Sequence, residues 1–191
     1  MAQHFSEYFQ NEFNEHRVLL EKTLDQCAAA IEQSANIISR CLAQGHKVML
    51  CGNGGSAADA QHIATELSGR FRKERRALAA IALTTDSSAL TAISNDYGFE
   101  QVFARQVEAL AQQGDVLICI STSGSSPNVI SALEAGRERG CVTIGMTGER
   151  NSVLSKQADV CIQIPSANTA RIQEMHILAG HILCGWVEEN L

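Results

Sequence analysis

The pattern of apolar and polar positions divides the chain into a helical beginning and an alternating remainder. No Pro or Gly occurs before Gly45, and Leu19, Leu20, Leu24, Cys27, Ala28, Ile31 and Ile38 recur at roughly helical spacing. This predicts one long helix or two packed in sequence. Beyond Gly45, KVMLC (47–51), ALAAIAL (77–83), DVLICI (115–120), CVTIGM (141–146) and DVCIQI (159–164) predict strands. Helical patterns over 56–69, 87–94, 99–110, 127–139, 152–157 and 171–189 fall between and after them. Each strand is a continuous apolar run, as in a parallel sheet covered on both faces. The expected fold is α/β, a doubly wound, flavodoxin-like sheet of five parallel strands with an N-terminal helical segment. No linker, composition break or internal repeat is visible, so residues 1–191 are expected to form a single domain, with 1–45 packing on it.

Composition narrows the function classes. Hydrophobic residues make up 45% and charged residues 19%, ordinary for a globular chain. The net charge of −6 argues against a general nucleic-acid binder, which would present a basic face. RFRKERR (70–76) is a local exception and reads as a solvated helix end and loop. Arg70 stands apart because it closes the helix after the first glycine turn. No window reaches the roughly eighteen apolar residues of a membrane span, and MAQHFSEYFQNEF lacks the apolar run of a signal peptide. Seven cysteines without a CxxC pair, four of them in or beside strands, read as small core residues of a reducing compartment. Cytoplasm is the expected location.

In such sheets ligands bind beyond the carboxyl ends of the strands. Two loops there carry chemistry. CGNGGSAAD has glycines at 52, 54 and 55, with Ser56 expected as helix N-cap and Asp59 at N3. ISTSGSSPNVI offers hydroxyls at Ser121, Thr122, Ser123, Ser125 and Ser126, then a helix opened by Ser126 as N-cap and Pro127. Free N–H groups at that helix start make it an anion site. A Walker A motif is excluded, since no lysine follows Gly52 at the required spacing. Gly52, Gly54 and Ala57 meet a dinucleotide fingerprint literally, but Glu74 precedes the second strand and Asp86 lies beyond the spacing for the acidic partner.

His62 and Glu66, four apart, share a face of the helix that leaves the first loop. RIQEMHILAGHIL (171–183) puts Gln173, His176 and His181 on an otherwise apolar helix. Polar groups buried unpaired cost about 1–3 kcal/mol, so they usually find partners. Imidazole, carboxylate and amide donors suit zinc or a similar divalent ion. His176 reads as a core or interface histidine rather than a ligand.

CGNGGSAADAQH, HIATE, TAISNDYGF, STSGSS and ARIQEMHILAGH together resemble the phosphoheptose isomerases of the SIS-domain class, in order over nearly the whole chain. The resemblance implies conversion of sedoheptulose 7-phosphate to D-glycero-D-manno-heptose 7-phosphate through an enediol, the first step towards the ADP-heptose of lipopolysaccharide. It also implies a cytoplasmic homotetramer with one zinc per subunit and active sites at subunit interfaces, without nucleic acid or membrane as partner. It assigns substrate contacts to Asn53, Gly54, Gly55, Asn95, Asp96, Ser121, Thr122, Ser123, Ser126 and Gln173, with Ser56, Glu66 and Arg70 helping. Zinc would fall to His62, Glu66, Gln173 and His181, and the acid/base pair to Glu66 and His181.

Gln173 and His181 stand eight residues apart, about 12 Å of rise and roughly 80° around an ideal helix. Either Gln173 precedes the regular helix or different subunits contribute. Ala170 replaces the Asp of some relatives, and TGERN (147–151) the more usual TGxDGG. A rival function is that of a non-catalytic SIS-fold protein associating with the replication initiator DnaA. Such a protein has altered equivalents of Glu66 and the STSG loop, and both are present here. A second rival is another sugar-phosphate enzyme of the same fold, such as a hexose-phosphate isomerase or etherase.

Overall fold

The computed structural model describes residues 2–191. The helical beginning is one unbroken helix, α1 (Ala2–Ala43). After it come β1 (Val48–Gly52), α2 (Gly55–Ser68), β2 (Ala80–Ala82), α3 (Ser87–Tyr97), a 3₁₀ turn (Phe99–Gln101) and α4 (Ala104–Leu110). The second half comprises β3 (Val116–Ile120), α5 (Pro127–Glu138), β4 (Val142–Thr147), α6 (Val153–Gln157), β5 (Val160–Gln163) and α7 (Thr169–Asn190). All strand pairs are parallel, in the order β2-β1-β3-β4-β5. The winding direction reverses between β1 and β3, the crevice where ligands enter such sheets.

Period-2 alternation splits each strand between two cores. Leu50, Val116, Ile118, Ile120, Ile144 and Ile162 pack beneath α1, α2 and α7 with Ile38, Ile63 and Leu183. Met49, Cys51, Leu117 and Cys119 face the other way, against Val107 of α4 and Val129 and Leu133 of α5. Both faces are covered, which is why the strands carry no polar alternation.

Two elements differ from the sequence expectation. The second strand is only three residues long, because it lies at the sheet edge and pairs with β1 alone through Val48–Leu50. Leu78 and Leu83 of the same apolar run are buried beyond the ends of the strand, while Ile81 within it is 43% exposed. The helix expected over 99–110 is broken between the 3₁₀ turn and α4, where consecutive Val102 and Phe103 both sink into the core. All seven cysteines are free thiols, and burial pushes those of Cys41, Cys141 and Cys161 up to about 11. Among the described residues no helix is long and apolar enough to cross a membrane.

Candidate active site

The two motif loops leave neighbouring strands, with Gly52 of β1 in register with Ile120 of β3. They therefore meet at the switch point. The first loop turns at Gly54, whose φ of 54° makes it the N-cap of α2, without a side-chain capping bond. Ser56 is consequently not the N-cap but a buried residue inside the helix. The turn needs a left-handed residue, and glycine supplies that without steric cost, so the helix begins earlier than the serine predicts. A Cβ at Gly55 would stand 2.4 Å from Gln173 Nε2, which places Gln173 of α7 directly over the loop.

Asn53 ties the two loops together. Its Nδ2 donates to Asn128 Oδ1 at 2.8 Å, and Asn128 Nδ2 donates back to Asn53 Oδ1 at 2.9 Å. Asn128, buried at the start of α5, was not singled out from sequence. Nothing in its surroundings along the chain marks it, because its partner lies 75 positions away.

In the second loop Ser126 is the N-cap and Pro127 opens α5, as expected. The Ser126 hydroxyl makes no capping bond; it lies 2.9 Å from Ser121 Oγ, which is 3.4 Å from Ser123 Oγ. Ser125 Oγ donates to Ser123 Oγ at 3.2 Å. Thr122 is half-buried in the same loop, and its carbonyl accepts from Gly148 N at 3.1 Å. The result is a cradle of hydroxyls at a 12-residue helix whose first N–H groups are not taken by a capping side chain, a natural seat for a phosphate.

Further along α2, that helix and α7 bring together His62, Glu66 and His181. Their donor atoms lie within 4.8 Å of one another. His62 Nε2 is 3.3 Å from Glu66 Oε1 and 2.9 Å from His181 Nε2. Two imidazole nitrogens and a carboxylate oxygen converging in this way fit zinc, whose tetrahedral sites take such donors. α7 is helical from Thr169, so Gln173 lies within it and about 12 Å of rise separates it from His181. Phe71, also overlooked in the sequence, stacks on the His181 ring with centroids 5.5 Å apart.

Four other residues complete the set. Asn95 and Asp96 are exposed on α3 and bond to each other, Nδ2 to Oδ1 at 2.8 Å. Arg70, beyond the C-cap of α2, is exposed and faces Glu74 at 3.7 Å. His176 is fully buried, its Nε2 donating to the Thr147 carbonyl at 3.3 Å. Burial pushes its pKa down to about 4 despite that bond.

A family model for the SIS domain matches residues 12–148. A phosphoheptose isomerase from a Nitratiruptor species is 56% identical over 184 residues, covering 96% of this chain and 98% of that one. One from Campylobacter jejuni is 51% identical over 181 residues, covering 95% and 97%. Among solved structures, phosphoheptose isomerase from Neisseria gonorrhoeae superposes with a TM-score of 0.92 at 44% identity, covering 97% of this chain and 99% of the other. That from Francisella tularensis reaches 0.93 at 38% identity, covering 96% and 97%. With the same fold and about half of all residues shared from end to end, the chain belongs to the SIS-domain family and, within it, to the phosphoheptose isomerases.

Proposed function

We infer that the chain is an aldose–ketose isomerase interconverting sedoheptulose 7-phosphate and D-glycero-D-manno-heptose 7-phosphate. The observation that carries this reading is that α2, which starts at the switch point, leads to the His62–Glu66–His181 cluster, while the neighbouring loop forms a hydroxyl-lined helix start. A hydroxyl-lined helix start suits a phosphate, and a carboxylate with two imidazoles suits proton transfer and metal binding. The SIS-fold binding protein that partners DnaA is disfavoured, since Glu66 and Ser123 are both in place.

Isomerisation moves a proton between adjacent carbons through an enediol, which requires a base, a second proton-transfer group and stabilisation of the developing negative oxygen. Glu66 is the base at carbon, and its helix partner His62 faces one of its oxygens. His181 moves the proton at oxygen. Ser121, Thr122, Ser123 and Ser126 hold the phosphate with the N-terminus of α5. Gly54 and Gly55 bring the backbone close to the sugar, Asn53 fixes that loop, and Gln173 reaches over it. Asn95, Asp96 and Arg70 are candidates for the far end of a heptose. His62, Glu66 and His181 would hold zinc, which when bound supplies a Lewis acid for the carbonyl oxygen.

The assembly we propose is the homotetramer of the family, with sites at subunit interfaces. Leu20, Leu24, Ile182 and Trp186 are all at least 40% exposed on α1 and α7. They surround a cavity of about 380 Å³, the kind of apolar surface that marks an interface. A site completed by a second subunit would also reconcile Gln173 with the zinc set despite its distance from His181 along α7. Cytoplasm is the proposed location, supported by the free thiols, and ADP-heptose synthesis the proposed pathway.

NMR of the purified protein with sedoheptulose 7-phosphate in D₂O tests the activity. An aldoheptose phosphate deuterated at C2 is expected, lost with a zinc chelator and restored by zinc. Bound substrate without conversion would sink the isomerase reading.

A further inference from the structure

The basic stretch 70–76 is irregular in the structure, running from the end of α2 towards β2. An irregular segment leaves backbone N–H groups that need acceptors. Glu188, in the last turns of α7, supplies them. Its Oε1 accepts from Phe71 N at 3.0 Å, and its Oε2 accepts from Arg72 N and Lys73 N, each at 2.8 Å. Arg75 adds an ion pair, Nε to Oε1 at 3.5 Å. The Glu188 side chain is only 4% exposed, so these charge-assisted bonds act with little screening. One carboxylate gripping three successive N–H groups fixes both the position and the direction of the backbone at 71–73.

That backbone carries the Phe71 ring onto His181, with the two planes 19° apart and the centroids at 5.5 Å. His62 meets the same imidazole edge-on, at 5.1 Å and 74°. His181 and Glu188 are seven residues apart on α7, about two turns, and so share a face. The helix that presents the imidazole also presents the anchor for the ring that covers it.

We propose that Glu188 and Phe71 are positioning residues for His181: the carboxylate fixes the 71–73 backbone, and the stacked ring fixes the rotation of the imidazole. This rests on the reading of His181 as a proton-transfer group. A reacting group is effective only within a narrow geometry, held by neighbours that are themselves locked. The phosphate loop takes no part in this contact, so loosening His181 is expected to fall on kcat rather than KM.

The test uses the full chain with Phe71→Leu, Phe71→Tyr, Glu188→Gln and His181→Asn. Phe71→Leu is expected to lower kcat about tenfold, within the roughly hundredfold that a small misplacement can cause. KM should stay within about twofold, and Phe71→Tyr, which keeps the stack, should restore kcat. The His181 ring C–H resonances, assigned by their loss in His181→Asn, should move downfield in Phe71→Leu and Glu188→Gln as ring shielding is lost. They should hold their place in Phe71→Tyr. Unmoved His181 resonances in Phe71→Leu, or an undiminished kcat in that variant, would overturn the proposal. Should Glu188→Gln not fold, the two Phe71 variants decide alone. Full turnover by His181→Asn would instead overturn the proton-transfer reading, and the resonances report the stacking independently of turnover.

Discussion

His62 Nε2 and His181 Nε2 face each other at 2.9 Å across the contact between α2 and α7. Only one of two imidazoles at that distance can donate a hydrogen bond to the other, whereas a cation ligated by both would use both lone pairs. Zinc should therefore bind the folded chain and not the unfolded one. At a free concentration about 100 times its Kd, it should stabilise folding by about 2.7 kcal/mol. Thermal melting with and without zinc checks this. His62→Asn should abolish most of the gain, and an undiminished gain in that variant would place the ion elsewhere.

Glu66 lies on the same helical face as His62, with an oxygen 3.3 Å from its ring. If Glu66 is the base, Glu66→Gln should lower kcat by about 10²–10⁴-fold. The phosphate loop is untouched by this change, so sedoheptulose 7-phosphate should still raise the melting temperature. Steady-state kinetics beside thermal shift separates the two effects, and near-normal turnover would remove Glu66 from that role.

Gly52 and Gly55 flank the same turn but meet different obstacles. A Cβ at Gly52 would lie 2.7 Å from the Ser56 carbonyl oxygen, whereas at Gly55 it would meet the end of the Gln173 side chain. Backbone cannot yield cheaply; a flexible side chain can. Gly52→Ala should accordingly destabilise the fold by about 1–3 kcal/mol, the range of overpacking. Gly55→Ala should melt close to the parent and raise KM, because Gln173 is pushed off the loop. Equal melting of the two variants would contradict this distinction.

What could be read from the sequence was mostly local. Strand-forming runs such as DVLICI and the Ser126-Pro127 helix start depend on neighbours along the chain, and the structure has both. The N-cap was misplaced because Ser56 is a good capping residue in isolation, while the turn demands the positive φ of Gly54. The second strand was overextended because an apolar run does not reveal that its strand lies at the edge. Asn128 and Glu188 stayed hidden for a different reason. Their partners, Asn53 and Phe71, are 75 and 117 positions away, and only the sheet order and the packing of α7 bring them together.

His176 gives the fold an acid-sensitive point. It is fully buried, with Nδ1 unpaired and Nε2 donating to Thr147, and burial lowers its pKa to about 4. In the unfolded chain the group titrates near its ordinary value of about 6.5. Between those values the unfolded state binds a proton that the folded state does not, so stability falls as pH drops from about 6.5 towards 4. Below that range both states are protonated and the loss levels off. The full difference between the folded and unfolded values is worth about 3 kcal/mol. His176→Phe removes the titrating group but also its bond to the Thr147 carbonyl, so it should be less stable than the parent at pH 7.5. The informative quantity is the slope: urea unfolding midpoints of the parent should fall between pH 6.5 and 4 more steeply than those of His176→Phe. Parallel slopes for the two proteins would show that His176 is not the group responsible.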